Sequence, residues 1–340
     1  MTTVGNETMG QQIKLIDRFR RLHRSLRLSV TDRCNLRCSY CMPAEGAIFV
    51  PRPTLLTFEE ITRVVRLLSN RCGITDVRLT GGEPLVRREL PKLVAMLADL
   101  GTLTDLSLTS NAMLLEPMAA ELRQAGLRRI NISIDTLDEA TFRRLTRRDG
   151  LDKVLRGIDA AINAGFENIK LNATAIRGIT ESEVIDLVQF AIEKGVQIRF
   201  IEFMPLDADR NWTNDGVLTG DDIRQRIESH FGALIPHRTS TSQPATDYLI
   251  DGKLAFGLIE SVTKPFCNAC DRIRMTADGS IRNCLFSQQE YPLRDLLRDG
   301  ASDDAIVRQF IAAVNAKESG HGIGETNFAP PDRPMYSIGG

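Results

Sequence analysis

At 340 residues, 42% of them hydrophobic and 26% charged, the chain can bury a substantial core and lies in the ordinary globular range. A formal net charge of -1 argues against a global field of either sign, so neither nucleic acid nor an anionic membrane is expected as a partner. Any anionic ligand must be held by a local cluster of cations.

Residues 1–24 form an N-terminal extension without the apolar core and small-residue cleavage site of a secretory signal. No later run reaches transmembrane length, so a cytoplasmic location is expected. From Ser25 to about Phe231, six short strand patterns alternate with longer helical ones. The strand segments are SLRLSV (25–30), DVRLT (76–80), DLSLT (105–109), RINISID (129–135), NIKLNATAI (168–176) and IRFIEFM (198–204). Between them lie segments such as 57–70 and 181–195, apolar at helical spacing and followed or closed by Gly. Repeated strand–helix units imply parallel strands with right-handed crossovers.

These strands alternate instead of running apolar throughout. Leu26, Leu28 and Val30 alternate with Arg27 and Ser29, Val77 and Leu79 with Arg78 and Thr80, and Ile130, Ile132 and Ile134 with Asn131, Ser133 and Asp135. One face packs on helices and the other is polar, which suits a partial (βα)6 TIM-type barrel with a ligand-binding lumen better than a doubly wound sheet. Arg27, Arg78 and Lys170 then point inward, where unpaired cations are costly. Either they bind an anion or they pair with carboxylates such as Asp135 and Glu202. From about 233 onward the pattern shortens to strand-like pieces with a turn at Asp251-Gly252, read as a C-terminal module (233–340) that closes the barrel (25–232). A late helix (303–316) precedes a Gly- and Pro-rich tail with no packing pattern of its own.

Six of seven cysteines fall in two trios, which in a reducing compartment points to metal binding more than to disulfides. Cys34-x3-Cys38-x2-Cys41 follows the first strand; three thiolates hold a 4Fe-4S cluster and leave one iron open to a small molecule, whereas structural zinc wants four ligands. Cys267-x2-Cys270 with Cys284 repeats the trio, and taken alone it suits zinc as well as iron and sulfur. Within it Arg272 and Arg274 alternate with Ile273 as on a strand, and guanidinium forks suit phosphate and purine edges. Cys72 closes a helix before a Gly stop and is read as a buried free thiol. The absence of a GxxxxGK[ST] loop counts against a GTPase or kinase.

The first trio, with Tyr40 just before its last Cys, resembles the signature of the radical S-adenosylmethionine (SAM) superfamily. Gly81-Gly82-Glu83-Pro84 after the second strand is similar to that superfamily's glycine-rich SAM segment. The second trio, the 272–274 segment, FMPL at 203–206 followed by Trp212, and the terminal Gly339-Gly340 resemble, more narrowly, the GTP 3′,8-cyclase family of molybdenum cofactor biosynthesis. The resemblance implies two [4Fe-4S] clusters, one at Cys34, Cys38 and Cys41 and an auxiliary one at Cys267, Cys270 and Cys284. It implies SAM contacts at Tyr40, Gly82, Ser133 and Met204. It also implies GTP contacts at Arg27, Arg78, Thr109, Lys170 and the segment Arg272, Ile273 and Arg274, with the two arginines in the catalytic role. A 5′-deoxyadenosyl radical would take the C3′ hydrogen of the ribose. As partners the resemblance implies an electron donor of flavodoxin or ferredoxin type and, downstream, cyclic pyranopterin monophosphate synthase; a monomer or homodimer is expected. A peptide-modifying radical SAM enzyme would call for a longer cysteine-rich C-terminal domain. A metal-knotted scaffold binding a partner or RNA would call for an aromatic or basic stripe, which one Trp and four Tyr scarcely supply.

Overall fold

The computed structural model describes residues 13–237 and 242–339. Its strands are β1 (Ser25–Ser29), β2 (Asp76–Thr80), β3 (Asp105–Ser110), β4 (Arg129–Ser133), β5 (Lys170–Ala175), β6 (Gln197–Glu202), β7 (Ile235–His237), β8 (Thr246–Ile250), β9 (Lys253–Ile259), β10 (Arg272–Met275), β11 (Ser280–Arg282) and β12 (Tyr291–Pro292). The first six run parallel in chain order, as the repeated strand–helix units imply.

Helices form where local signals agree. Phe58–Cys72 starts on a Thr57–Glu60 capping box and stops at Gly73, which takes the left-handed backbone that glycine adopts without strain. Ile61, Val64, Val65 and Leu68 recur at helical spacing on its buried face. They meet Leu26, Leu28, Val77, Leu79, Leu106 and Leu108 in one continuous apolar core between sheet and helices. Burial of that face holds the barrel units together at roughly 25 cal/mol per Å² of apolar surface removed from water.

The C-terminal module does more than add hairpins. β10 pairs parallel with β1 and β9 pairs parallel with β6, so eight parallel strands run β10-β1-β2-β3-β4-β5-β6-β9 within a twelve-stranded sheet. β9 carries the unbroken buried run Ala255–Leu258 that a parallel strand covered on both faces shows. The module thus supplies a parallel strand at each edge, and β9 and β10 are not paired with each other. The turn at Asp251-Gly252 joins β8 to β9 with positive φ at both residues, as a tight hairpin requires.

The tail differs from expectation. Met335–Ile338 forms a helical turn whose Ile338 is 1% exposed, packed with Leu206 and Phe286 in a second, smaller apolar cluster. Met335, Tyr336 and Ile338 are too short a pattern to show this in sequence; packing against two distant loops fixes it. Gly339 lies against Ser29 and Thr80, and Gly340 lies outside the described residues.

Candidate active site

A cavity of about 520 Å³ occupies the polar side of the barrel strands. All six cysteines of the two trios line it, and Tyr40, Gly82, Thr109, Ser133, Met204, Arg27, Arg78, Arg272 and Arg274 share the same walls. Lys170 and Ile273 do not. Ile273 is fully buried in the core on the opposite face of β10, as the alternation of a strand requires. Lys170 has Arg199, Arg129, Asp247 and Arg78 as charged neighbours, beside the cavity but not in its wall.

The first trio sits on a loop tied down by its neighbours. Arg37 N donates to the Thr146 carbonyl and Ser39 N to that of Leu145, both at 2.9 Å, while the Arg37 guanidinium reaches the carbonyls of Cys34 and Leu36. Leu36 N at 3.4 Å and Asn111 Nδ2 at 3.7 Å both donate to Cys34 Sγ. Burial pushes the Cys34 thiol up to about 11 and Cys41 to about 12, and Cys38 well above its usual range. Such thiols ionise when a cation or cluster takes the proton's place. Among the described residues no three His, Cys, Asp or Glu side chains are gathered tightly enough to hold a single metal ion.

Gly81 and Gly82 allow the β2 exit to close onto this loop. A Cβ on Gly81 would stand 2.5 Å from the Thr31 carbonyl oxygen, and one on Gly82 would stand 2.6 Å from that of Arg33. The backbone contact is sealed by Gly82 N donating to the Thr31 carbonyl at 2.8 Å and Glu83 N to that of Arg33 at 2.8 Å. Glu83, 1% exposed, accepts from Asn111 N, Leu85 N and the Ser110 hydroxyl, and burial raises its carboxyl to about 7.

The lumen cations form one row. Arg274, Arg27, Arg78 and Ser107 are register partners across β10, β1, β2 and β3. Like charges directly opposite in a sheet destabilise it. The carboxylates weighed as partners are otherwise engaged: Asp135 accepts from the Tyr40 hydroxyl at 2.5 Å and Thr174 N at 2.7 Å, and Glu202 accepts from Gly220 N, Val262 N and Thr263 N. Among the described residues, Arg27 Nε and Arg272 Nη2 are buried without a hydrogen-bond partner. Burial and then Arg78 hold Arg27 well below the usual guanidinium range, while burial first brings both Arg78 and Arg274 down to about 10. A site of this kind favours an anion.

Around the second trio, Arg272 lies over the Phe266 ring, 4.7 Å from its centroid, and Arg274 Nη1 donates to the Gly339 carbonyl at 2.7 Å. Burial raises the Cys270 thiol, but Arg272 and Lys317 outweigh it and bring it down to about 7. Sequence reading missed several cavity residues. Arg199 alternates with Ile198 and Phe200 on β6 and was legible by the rule that found Arg27; it pairs with Asp247 at 3.2 Å. Asn111, also in the cavity wall, and Lys317, buried beside Cys270 but outside that wall, lie outside any strand pattern and carried no signal. Cys72 is buried in the core, as predicted.

The "Radical SAM superfamily" model matches residues 28–191 and the "Molybdenum Cofactor Synthesis C" model residues 196–323. The chain is 55% identical over 336 residues to the GTP 3′,8-cyclase of Rhodopirellula baltica, covering 98% of this chain and 94% of that relative. It is 46% identical over 333 residues to the GTP 3′,8-cyclase of Mycobacterium marinum, covering 96% and 92%. Among solved structures, Streptococcus suis SuiB bound to S-adenosylmethionine superposes with a TM-score of 0.59 at 13% identity, over 94% of this chain and 76% of that one. anSMEcpe with bound AdoMet gives 0.58 at 16%, over 88% and 79%. At those identities the structures show the shared fold alone. Two adjoining family models and near full-length identity place the chain in the GTP 3′,8-cyclase family of the radical SAM superfamily.

Proposed function

We propose that the chain catalyses the radical SAM cyclisation of GTP to (8S)-3′,8-cyclo-7,8-dihydroguanosine 5′-triphosphate, the first step of molybdenum cofactor biosynthesis. The observation that carries this reading is the row Arg274–Arg27–Arg78, which makes no ion pair with a carboxylate among the described residues, in one cavity with both cysteine trios. SAM alone gives such a row little to neutralise, whereas a triphosphate uses it.

Cys34, Cys38 and Cys41 would hold the superfamily's [4Fe-4S] cluster, with Tyr40, Gly82, Ser133 and Met204 about the SAM. Three free thiols on one wall, with N–H donors aimed at Cys34, fit that group. Cys267, Cys270 and Cys284 would hold a second cluster beside the guanine. With both clusters and SAM bound, one electron from the first cluster would split SAM into methionine and a 5′-deoxyadenosyl radical, which would take the C3′ hydrogen of the ribose before C3′ joins C8. The protein's own part is positioning: Arg27 and Arg78 with Thr109 orient the nucleotide, Lys170 adds positive charge from beside the cavity, and Arg272 and Arg274 fix its reacting end. In this reading 25–232 carries the SAM site and 233–340 the auxiliary site. A flavodoxin- or ferredoxin-type donor delivers the electron, and cyclic pyranopterin monophosphate synthase takes the product. No helix among the described residues is long and apolar enough to cross a membrane, and a cytoplasmic setting suits oxygen-sensitive thiolate ligands.

The test is anaerobic incubation of dithionite-reduced, cluster-reconstituted protein with SAM, with and without GTP, followed by mass spectrometry. Formation of 5′-deoxyadenosine together with a cyclised nucleotide is the expected result. SAM cleavage with GTP unchanged overturns the substrate, and intact SAM overturns the radical chemistry.

A further inference from the structure

Lys317 follows the helix Asp303–Asn315 and is 3% exposed. Its Nζ donates to the Arg272 carbonyl at 2.6 Å and to Cys270 Sγ at 3.5 Å. The acidic groups that face it are the thiols Cys270 and Cys284, and Arg21 is its cationic neighbour.

The amine is held there by a built clamp. Arg21, 7% exposed, donates from Nη2 to the Glu318 carbonyl at 2.6 Å and from Nη1 to the carbonyls of Ser319 at 3.0 Å and Cys267 at 2.8 Å. Asp17 in turn accepts from Arg21 Nε at 2.5 Å. The segment before β1 thereby locks the Lys317 backbone to the loop of the second trio. At the first trio the donors to sulfur are neutral: backbone N–H groups, the Asn111 carboxamide and the Tyr40 hydroxyl.

A hydrogen bond to a cluster's sulfur ligand stabilises the added negative charge of the reduced state more than the oxidised one, and an amine donor does so more strongly than a neutral amide. We propose that Lys317 is a positioning residue that raises the reduction potential of a cluster held by Cys267, Cys270 and Cys284 through its bond to the Cys270 sulfur, leaving the first cluster untouched. This rests on the reading that the second trio holds a cluster.

The experiment is an EPR-monitored redox titration of reconstituted holoprotein, wild type and Lys317→Met, with iron and sulfide determined in both. The substitution keeps an unbranched side chain of similar length and removes the donor. With both clusters retained, the reduced-to-oxidised ratio of the second cluster should fall about tenfold at a fixed poise, about 59 mV for one electron, while the first is unmoved. An unchanged second midpoint, or an equal shift in both, overturns the proposal. Because the variant can lose its second cluster, wild-type protein carrying 15N-lysine gives an independent reading by pulsed EPR. A 15N coupling to the reduced second centre supports the bond, and its absence overturns it. Wild type that binds only one cluster's iron and sulfide overturns the two-cluster reading itself, before any substitution is made.

Discussion

Arg272 joins two surroundings: its guanidinium stacks on Phe266 in the cavity wall, while its carbonyl belongs to the auxiliary loop through Lys317. Removing the side chain leaves the carbonyl in place. Arg272→Ala should therefore lower kcat/KM for GTP by roughly ten- to a hundredfold, the loss of a charge-assisted hydrogen bond worth about 1.5–3 kcal/mol. SAM binding and iron content should stay at wild-type values; a variant short of the second cluster's iron would move the residue to a structural role. Lys170 gives a pH signature. Burial, then Arg199 and Arg129, bring its ammonium down to about 8. Below that pH it is a cation that favours a triphosphate; as pH rises through about 8 the ligand-free protein loses the charge, so GTP binding weakens. The KM for GTP should climb across that range while SAM binding holds, and Lys170→Met should flatten the climb. The same depression has a second sign: a lowered Lys pKa destabilises the protonated fold, so the ligand-free protein gains stability as pH rises above about 8. At this scale the sequence exposed residues through strand alternation alone. Arg27, Arg78 and Arg274 were legible because period-two placement assigns a face, whereas Asn111 and Lys317 sit on a loop and beyond a helix, where no period assigns one.

Backbone meets backbone closely where β2 exits onto the cysteine loop. Gly82 is needed there for space, since a Cβ would fall 2.6 Å from one carbonyl oxygen and 2.7 Å from another, both of them backbone. Gly82→Ala should destabilise the protein by about 1–3 kcal/mol, typical of forced overpacking, and lower the iron retained by the first site. Paired thermal melts and iron assays check this, and full iron loading at an unchanged Tm would show that the loop gives way cheaply. Strand identity was plain in the sequence for β1 to β5, because each pairs an apolar comb with polar neighbours, whereas Ile201 breaks the comb in β6. The shorter strand-like pieces from about 233 onward, with one turn at Asp251-Gly252, read as a separate closing module and leave the partners of β9 and β10 open. Their parallel pairing to β6 and β1 depends on which edge the chain returns to, and side-chain pattern does not encode that.

Over the whole molecule, the tail, the 203–206 loop and the auxiliary loop share the small apolar cluster of Leu206, Phe286 and Ile338. Arg274 adds a polar tie to Gly339. Ile338→Ala should cost about 2–5 kcal/mol at this cluster, as large-to-small changes of buried aliphatics do. Amide exchange should then speed up in 334–339 ahead of the barrel strands, and protection equal to wild type would show that the cluster does not hold the tail. By itself the sequence determined the parallel alternating barrel, the two thiol trios and the inward cations, because strand period and ligand spacing are local properties. Only the tertiary structure decided that both trios and the arginine row line one cavity, that the C-terminal module extends the sheet at both edges, and that the tail is packed. Each of these joins segments far apart in the chain, and their meeting is set by the packing of the whole sheet, which no local period records.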